Sequence, residues 1–539
     1  MESANKTDST TAENSFNETS EINSALNSAT NSASTPALTS RTLIKAGFAR
    51  PDAARKAIAD ICEDCDKKFI NPQLILECVT RAEDPDAAVL ALRDIAQAQP
   101  QLIEKIASIS TSSITRPLAY LMQVLGASNA MAMLMRTHPH LVEAASYDPD
   151  HLFSMTLDER REDLFVAIQA YSATVVLPEK SSVDNSSVSS VSSVSSASSV
   201  SSVSSVSSVS SSSKSDDFCT IPITSLGFAQ AVSALRARYR EQVAAIMAAD
   251  LASADPMEVQ PDISRKLSDA ADAALEAALA IARGQVTGSS ACRFAIIAMG
   301  KLGAQEINYV SDIDLIYVVE PTDVQQQDAA LRIGASIAMV LQKVCQSVVA
   351  GSVEPPLWQI DTALRPEGKD GPLVRRLASH REYYEKWASS WEFQALLKSR
   401  PAAGDMALGK DYRAMVEPLI WKASGREHFV ADCQHMRQRV ESLIPASQRD
   451  LDMKLGKGGL RDVEFTVQML QLVHGSEDAS LRVRDTISAL QALAQGGYVS
   501  RSQAVILAEH YRFERVLEHR QQMWSMHLSL IHISEPTDS

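Results

Sequence analysis

No stretch of the 539-residue chain approaches the ~18 consecutive apolar residues that a membrane-spanning helix requires. Its first residues, Met1-Glu2-Ser3-Ala4-Asn5, also lack the basic and then apolar order of a secretory leader. These absences set the expectation of a cytoplasmic protein with no membrane partner. Cysteine is scarce: Cys62, Cys65, Cys78, Cys219, Cys292, Cys345 and Cys433 are too few and too scattered for a disulfide framework. Cys62 and Cys65 make one CxxC, but no second pair or nearby histidine completes a tetrahedral metal site, and two ordinary cysteines on a helix account for it. Glycine (20), proline (21) and aromatics (5%) are also sparse, which disfavours a sandwich and favours helix. Basic residues are outnumbered, 51 against 66, leaving a net charge of -15, so nucleic acid is not an expected partner.

What is present divides unevenly. Residues 1–40 are Ser, Thr, Asn and Glu with almost nothing to bury, as expected of a disordered tail. Residues 41–180 read as helical: Leu118, Leu121, Met122 and Leu125 fall at helical spacing, Gly126 is placed to end that helix, and Ser128-Asn129 to cap the next. The methionines there (Met131, Met133, Met135) read as core filler. Residues 181–217 form a low-complexity linker in which Ser-Ser-Val repeats with a period matching neither strand nor helix. In residues 218–400, two helices lead into short apolar runs at Phe294–Met299, Ile313–Val319 and Leu357–Leu364, expected as strands of a mixed α/β core. Residues 401–527 read as a helical bundle, broken by the Gly-rich turn Leu455–Gly459. The last dozen residues, 528–539, break the charged helical pattern and read as a non-native tail. The expected fold is mainly α, with a mixed α/β palm and helical domains on both sides.

The chemistry concentrates between Gly300 and Asp314. Residues two apart on a strand share a face, so Asp312 and Asp314 project together while Ile313 and Leu315 face the core. An exposed strand end gives the same pattern, but paired carboxylates repel unless a cation lies between them, and a hard ion such as Mg2+ fits oxygen donors. Gly300 and Gly303 lie at a strand-to-helix turn where backbone amides can approach a phosphate, and Lys301 adds a charge. On the third strand Asp361, Ala363 and Arg365 are expected to share a face, and the turn Pro366–Pro372 brings up Lys369. Three acids, a Gly-turn and several cations suit phosphoryl or nucleotidyl transfer, with no protein nucleophile required.

These residues resemble the DNA polymerase β superfamily of nucleotidyltransferases and, more narrowly, the glutamine synthetase adenylyltransferase/adenylyl-removing family. The resemblance rests on Gly300–Gly303 with Asn308–Leu315, on Asp361–Gly371, on Trp391–Lys398 and on Lys454–Phe465, in the family's order. Ala363 departs from the pattern, standing where many relatives carry arginine, and Arg375 or Arg376 could replace that contact. The family joins two similar units; the N-terminal one removes adenylyl groups from a tyrosine of glutamine synthetase with phosphate, releasing ADP, and the C-terminal one adds them from ATP. This chain matches the first. The resemblance implies Asp312, Asp314 and Asp361 as catalytic magnesium ligands, and Gly300, Lys301, Gly303, Ser311, Arg365 and Lys369 as nucleotide- and phosphate-binding residues. It also implies glutamine synthetase as protein substrate and a PII signalling protein as a further partner. Glu392 and Lys398 could reach the site, and Arg461, Asp462 and Glu464 could contact a partner, although inward apolar neighbours and helix-start acids explain both groups structurally. A catalytically silent docking module and a PII uridylyltransferase are the alternatives.

Overall fold

The structure, a computed structural model, describes residues 38–112, 117–146, 149–176, 218–442, 444 and 452–526. Nearly all of the N-terminal polar segment, the Ser-Ser-Val repeat and the final dozen residues lie outside the described residues.

The N-terminal region is built of short helices, and the scarce prolines open several of them: Pro51–Asp64, Pro72–Val79 and Pro85–Ala98. At the first helical position the missing N–H has no helical partner to lose, and φ is preset. Asn71 and Asp84 cap two of these helices by accepting from the Leu74 and Ala87 N–H groups. Ser128 caps Asn129–Met135 as expected, accepting from the Met131 N–H. Met131 and Met135 are buried filler, whereas Met133 is exposed. Gly126 does not end its helix, which runs Pro117–Ala127. A side chain there would meet the Asp84 carbonyl at 2.9 Å, so this glycine serves close packing instead. Cys62 and Cys65 are free and buried, and burial raises both thiols, that of Cys65 to about 11, as in unreactive core cysteines.

The expected helical stretch is corrected at its end: β1 (Ala170–Val176) pairs antiparallel with β2 (Phe218–Thr224), so the Ser-rich repeat interrupts a hairpin. Two long helices follow, Phe228–Ala252 and Pro256–Gln285. The second is covered nearly all round because alanines (270, 271, 273, 274, 277, 278) let its neighbours approach.

It supports a mixed sheet of β3 (Cys292–Ala298), β4 (Ile313–Pro321), β5 (Ile360–Asp361), β6 (Val374–Arg375) and β7 (Arg400–Gly404). The order is β5-β4-β3-β7, with β6 also on β4. β3 runs antiparallel to β4 and β7, while β5 and β6 run parallel to β4. Both faces are buried, which is why the strands read as continuous apolar runs. Phe294, Ile296, Ile313, Leu315 and Tyr317 join the core shared with the N-terminal helices. Ala295, Ile297, Ile316 and Val318 pack on the other face against Tyr384, Phe393, Leu408 and Tyr412. The fold is thus mainly helical around a small mixed sheet, as expected.

The third strand is shorter than the run Leu357–Leu364. Asp361 accepts the Ala363 N–H on its own carboxylate at 2.7 Å and turns the chain out of the sheet. Ala363 and Arg365 therefore do not share a strand face with Asp361. Downstream, helices Met406–Lys422, Phe429–Ser442, Leu460–His474 and Thr486–Gln495 lead to Arg501–Ser525. This last helix returns to the N-terminal region, where Ser128 donates to the Met523 carbonyl at 2.5 Å. Among the described residues no helix is long and apolar enough to cross a membrane.

Candidate functional site

The parallel register of β4 and β5 sets Asp314 opposite Asp361, with Asp312 two residues before Asp314. All three carboxylates therefore stand at one end of the sheet. Asp312 and Asp361 are exposed and Asp314 is half-buried. Burial, with the charges of Asp361 and Asp312 added, pushes the Asp314 carboxyl up to about 6. Burial and Asp361 also raise Asp312. Asp312 and Asp314 thus resist ionising beside the neighbouring carboxylates, which is the electrostatic condition a cation relieves.

The donor set is all oxygen and suits a hard divalent cation. Among the described residues no group of three such ligands closes into a finished metal cluster, so the fit rests on the chemistry of the donors.

Gly300 shapes this edge directly. Its φ is +53°, and a Cβ there would lie 2.1 Å from Asp314 Oδ2. It opens a four-residue helix, Gly300–Gly303, whose lead residue Met299 donates its N–H to the Asp314 carbonyl at 2.9 Å. Gly303 serves a different contact, since a Cβ there would lie 2.1 Å from the Lys398 carbonyl; it closes the turn onto a neighbouring segment.

The expected cations are placed differently. Lys301 points inward and pairs with Glu518 at 2.9 Å; burial lowers its amine to about 7, against the pull of Glu518. Arg365 donates to the carbonyls of Thr362, Lys369 and Gly371, so it closes the turn after β5. Lys369 is exposed on that turn, and the Ser311 hydroxyl donates to the Asp312 carbonyl at 3.2 Å. Neither suggested substitute at Ala363 is free: Arg375 binds Ser379 and Glu367, and Arg376 binds Glu320 and Gln327. Glu392 caps its own helix by accepting from the Ser389 N–H, and Lys398 is buried against Glu306 at 3.0 Å. Both have the structural role.

Sequence reasoning missed two things. One is the buried network behind the acids. Arg515 binds Asn308, Glu518, Ser264 and the Glu306 carbonyl, while Glu306 accepts from Lys398 and the Thr486 N–H. The other is the approach of the Gly-rich turn: the charges of Arg461 and Lys454 act on Asp314, and that of Lys454 acts on Asp312. The turn was visible in the sequence as Lys454-Leu-Gly-Lys-Gly-Gly459, but nothing local ties it to residues about 140 positions earlier.

A family model described as glutamate-ammonia ligase adenylyltransferase matches residues 213–415, and one described as GlnD PII-uridylyltransferase matches residues 434–527. A bifunctional glutamine synthetase adenylyltransferase/adenylyl-removing enzyme of Bifidobacterium longum (strain NCC 2705) is 48% identical over 491 residues, covering 90% of this chain and 41% of the relative. Enzymes of the same description from Cutibacterium acnes (40% identity over 444 residues; 82% of this chain, 40% of the relative) and Nocardia farcinica (49% over 299 residues; 54% and 28%) also match. The chain spans about two fifths of the length of the first of these curated relatives. Over 90% of its length the chain is thus similar to enzymes of the glutamine synthetase adenylyltransferase/adenylyl-removing family, a nucleotidyltransferase family.

Proposed function

We propose that the chain carries the adenylyl-removing unit of this family: magnesium-dependent phosphorolysis of adenylylated tyrosine on glutamine synthetase. The observation that carries the reading is the in-register placement of Asp314 and Asp361 on parallel strands with Asp312 beside them and Gly300 against Asp314. An oxygen of hydrogen phosphate attacks the AMP phosphorus, the bond from phosphorus to the tyrosine oxygen breaks, and the phosphate proton ends on the tyrosine oxygen. The products are ADP and free tyrosine, so atoms and charge balance. Asp312, Asp314 and Asp361 would hold Mg2+, which supplies charge neutralisation for the phosphates when bound. Gly300 leaves room beside Asp314, and the exposed Lys369 faces solvent on the adjoining turn. In this reading residues 218–400 form the catalytic unit and residues 401–527 the helical bundle against it, with a PII protein as a regulatory partner.

The test is ADP release from adenylylated glutamine synthetase supplied with phosphate and magnesium. The wild-type chain should release ADP, and Asp312→Asn and Asp314→Asn should each lower turnover by at least 100-fold while circular dichroism stays unchanged, because they remove metal ligands at a strand end rather than core contacts. Wild-type rates in either variant refute the ligand assignment. The match of residues 434–527 to a uridylyltransferase model favours one second reading, uridylylation of a PII protein; UMP-modified product in place of ADP would establish it.

A further inference from the structure

We propose that Arg240, on helix Phe228–Ala252, is a positioning residue for Asp361: with Arg236 and Tyr239 it clamps the segment that delivers β5, and so sets how tightly the strand-end acids hold a divalent cation. The inference rests on the proposed metal role of those acids and adds the element that fixes their spacing.

The ladder alone gives β5 little hold. It pairs with β4 through Ile313↔Ile360 and Asp314↔Asp361, and past Asp361 the chain turns away. Its entry, residues 347–359, runs as turns and extended chain from the end of helix Gln327–Gln346. Pro355 and Pro356 in this stretch have no N–H to donate, so their carbonyls must be held from another element.

Helix Phe228–Ala252 supplies the donors from one face, at positions three and four apart. Arg236 is fully buried and donates to the carbonyls of Val344 at 2.7 Å, Ser347 at 2.7 Å and Glu354 at 3.0 Å. The Val344 carbonyl is one that a helix end leaves unpaired. Arg240 donates to the carbonyls of Pro355 and Pro356 at 2.6 and 2.7 Å and pairs with the Glu354 carboxylate at 3.1 Å. Its planar fork spans two successive carbonyls, which a single ammonium could not match. The Tyr239 hydroxyl accepts the Trp358 indole N–H at 3.1 Å. Next along the chain, the Gln359 carbonyl accepts the Ile313 N–H at 2.9 Å, and Gln346 accepts the Ile360 N–H at 2.9 Å. The segment is thus held at nearly every step from Glu354 to the residue before Asp361. Glu354 also faces His138 and His140 at 3.4 and 3.8 Å, so the N-terminal helices reach the carboxylate edge through this segment. Groups that orient a metal ligand are commonly worth about 10–100-fold in metal affinity.

The experiment is calorimetric titration of the full chain with magnesium, paired with amide hydrogen exchange over residues 357–363. Arg240→Gln should weaken magnesium binding by about tenfold and speed exchange at Ile360 and Ala363. Arg240→Lys, which keeps a charge beside Glu354, should recover part of both. The control is Arg238→Gln on the same helix: Arg238 pairs with Asp163 and Glu241, so its loss should cost stability and leave magnesium affinity and exchange at β5 unchanged. In turnover, Arg240→Gln should raise the magnesium concentration needed for half-maximal ADP release, and saturating magnesium should restore most of kcat. Should Arg240→Gln fail to fold, Tyr239→Phe removes only the acceptor for Trp358 and should weaken magnesium by about threefold. Wild-type magnesium affinity in Arg240→Gln, or in Tyr239→Phe where that variant replaces it, overturns the proposal, as does a loss no greater than that of Arg238→Gln. A wild-type chain that binds no magnesium, with exchange at Ile360 still faster in Arg240→Gln, refutes the metal reading of the acids and leaves the positioning of Asp361 standing.

Discussion

Two glycines three residues apart meet different neighbours, and the difference decides what each substitution costs. At Gly300 the obstacle to a Cβ is the end of the Asp314 side chain, which can rotate away. Gly300→Ala should therefore fold, with a modest cost from its positive φ, yet lose at least tenfold in ADP release because Asp314 is displaced. At Gly303 the obstacle is the Lys398 carbonyl, a backbone atom that cannot give way locally. Gly303→Ala should cost about 1–3 kcal/mol in urea unfolding. Equal stability loss in the two variants would contradict this division. The same contrast shows what the sequence made legible. Asp312 and Asp314 follow from strand parity alone, whereas the inward turn of Lys301 depends on Glu518, 217 residues later, a partner that no local pattern announces.

Elements repeat the lesson. β3 and β4 were readable because burial on both faces demands unbroken apolar runs. β7 was not: Arg400-Pro-Ala-Ala-Gly404 has no β-branched residue, and its proline is tolerated because β7 lies at the sheet edge. β5 stops after two residues because Asp361 turns its own backbone. Helix Arg501–Ser525 is rich in charge, yet Tyr511, Arg515, Glu518 and His519 are buried. Its polar residues bind the loop between β3 and β4, so it acts as a strut under the carboxylate edge. Arg515→Met should destabilise by about 3–5 kcal/mol, since it removes the buried donor to the Asn308 side-chain oxygen and the Glu306 carbonyl and leaves the Glu518 carboxylate with Lys301 as the one remaining cation of the pair that binds it. Denaturant unfolding measures this directly, and a loss below about 1 kcal/mol would show the network to be dispensable.

For the molecule as a whole, one continuous core extends from Leu43 through the sheet to Met523, and the β1–β2 hairpin lies on its margin against helix Pro256–Gln285. The hairpin register is complete from Ala170↔Thr224 to Val176↔Phe218, so its pairing does not depend on what joins the strands. The Ser-Ser-Val repeat within that connection offers little apolar surface to bury, and closing a connection costs only about (3/2)RT ln n in its length. Deleting residues 181–213 leaves 177–180 and 214–217 to join the strands and shortens the connection about fivefold, which should raise stability by about 1.4 kcal/mol. ADP release and magnesium dependence should be unchanged, because the acids belong to other elements. A deletion variant that unfolds at lower urea than the parent, or loses turnover, would mean that the repeat makes contacts its composition does not announce. A higher midpoint with intact turnover would make it a removable insertion in a fold whose hairpin closes without it.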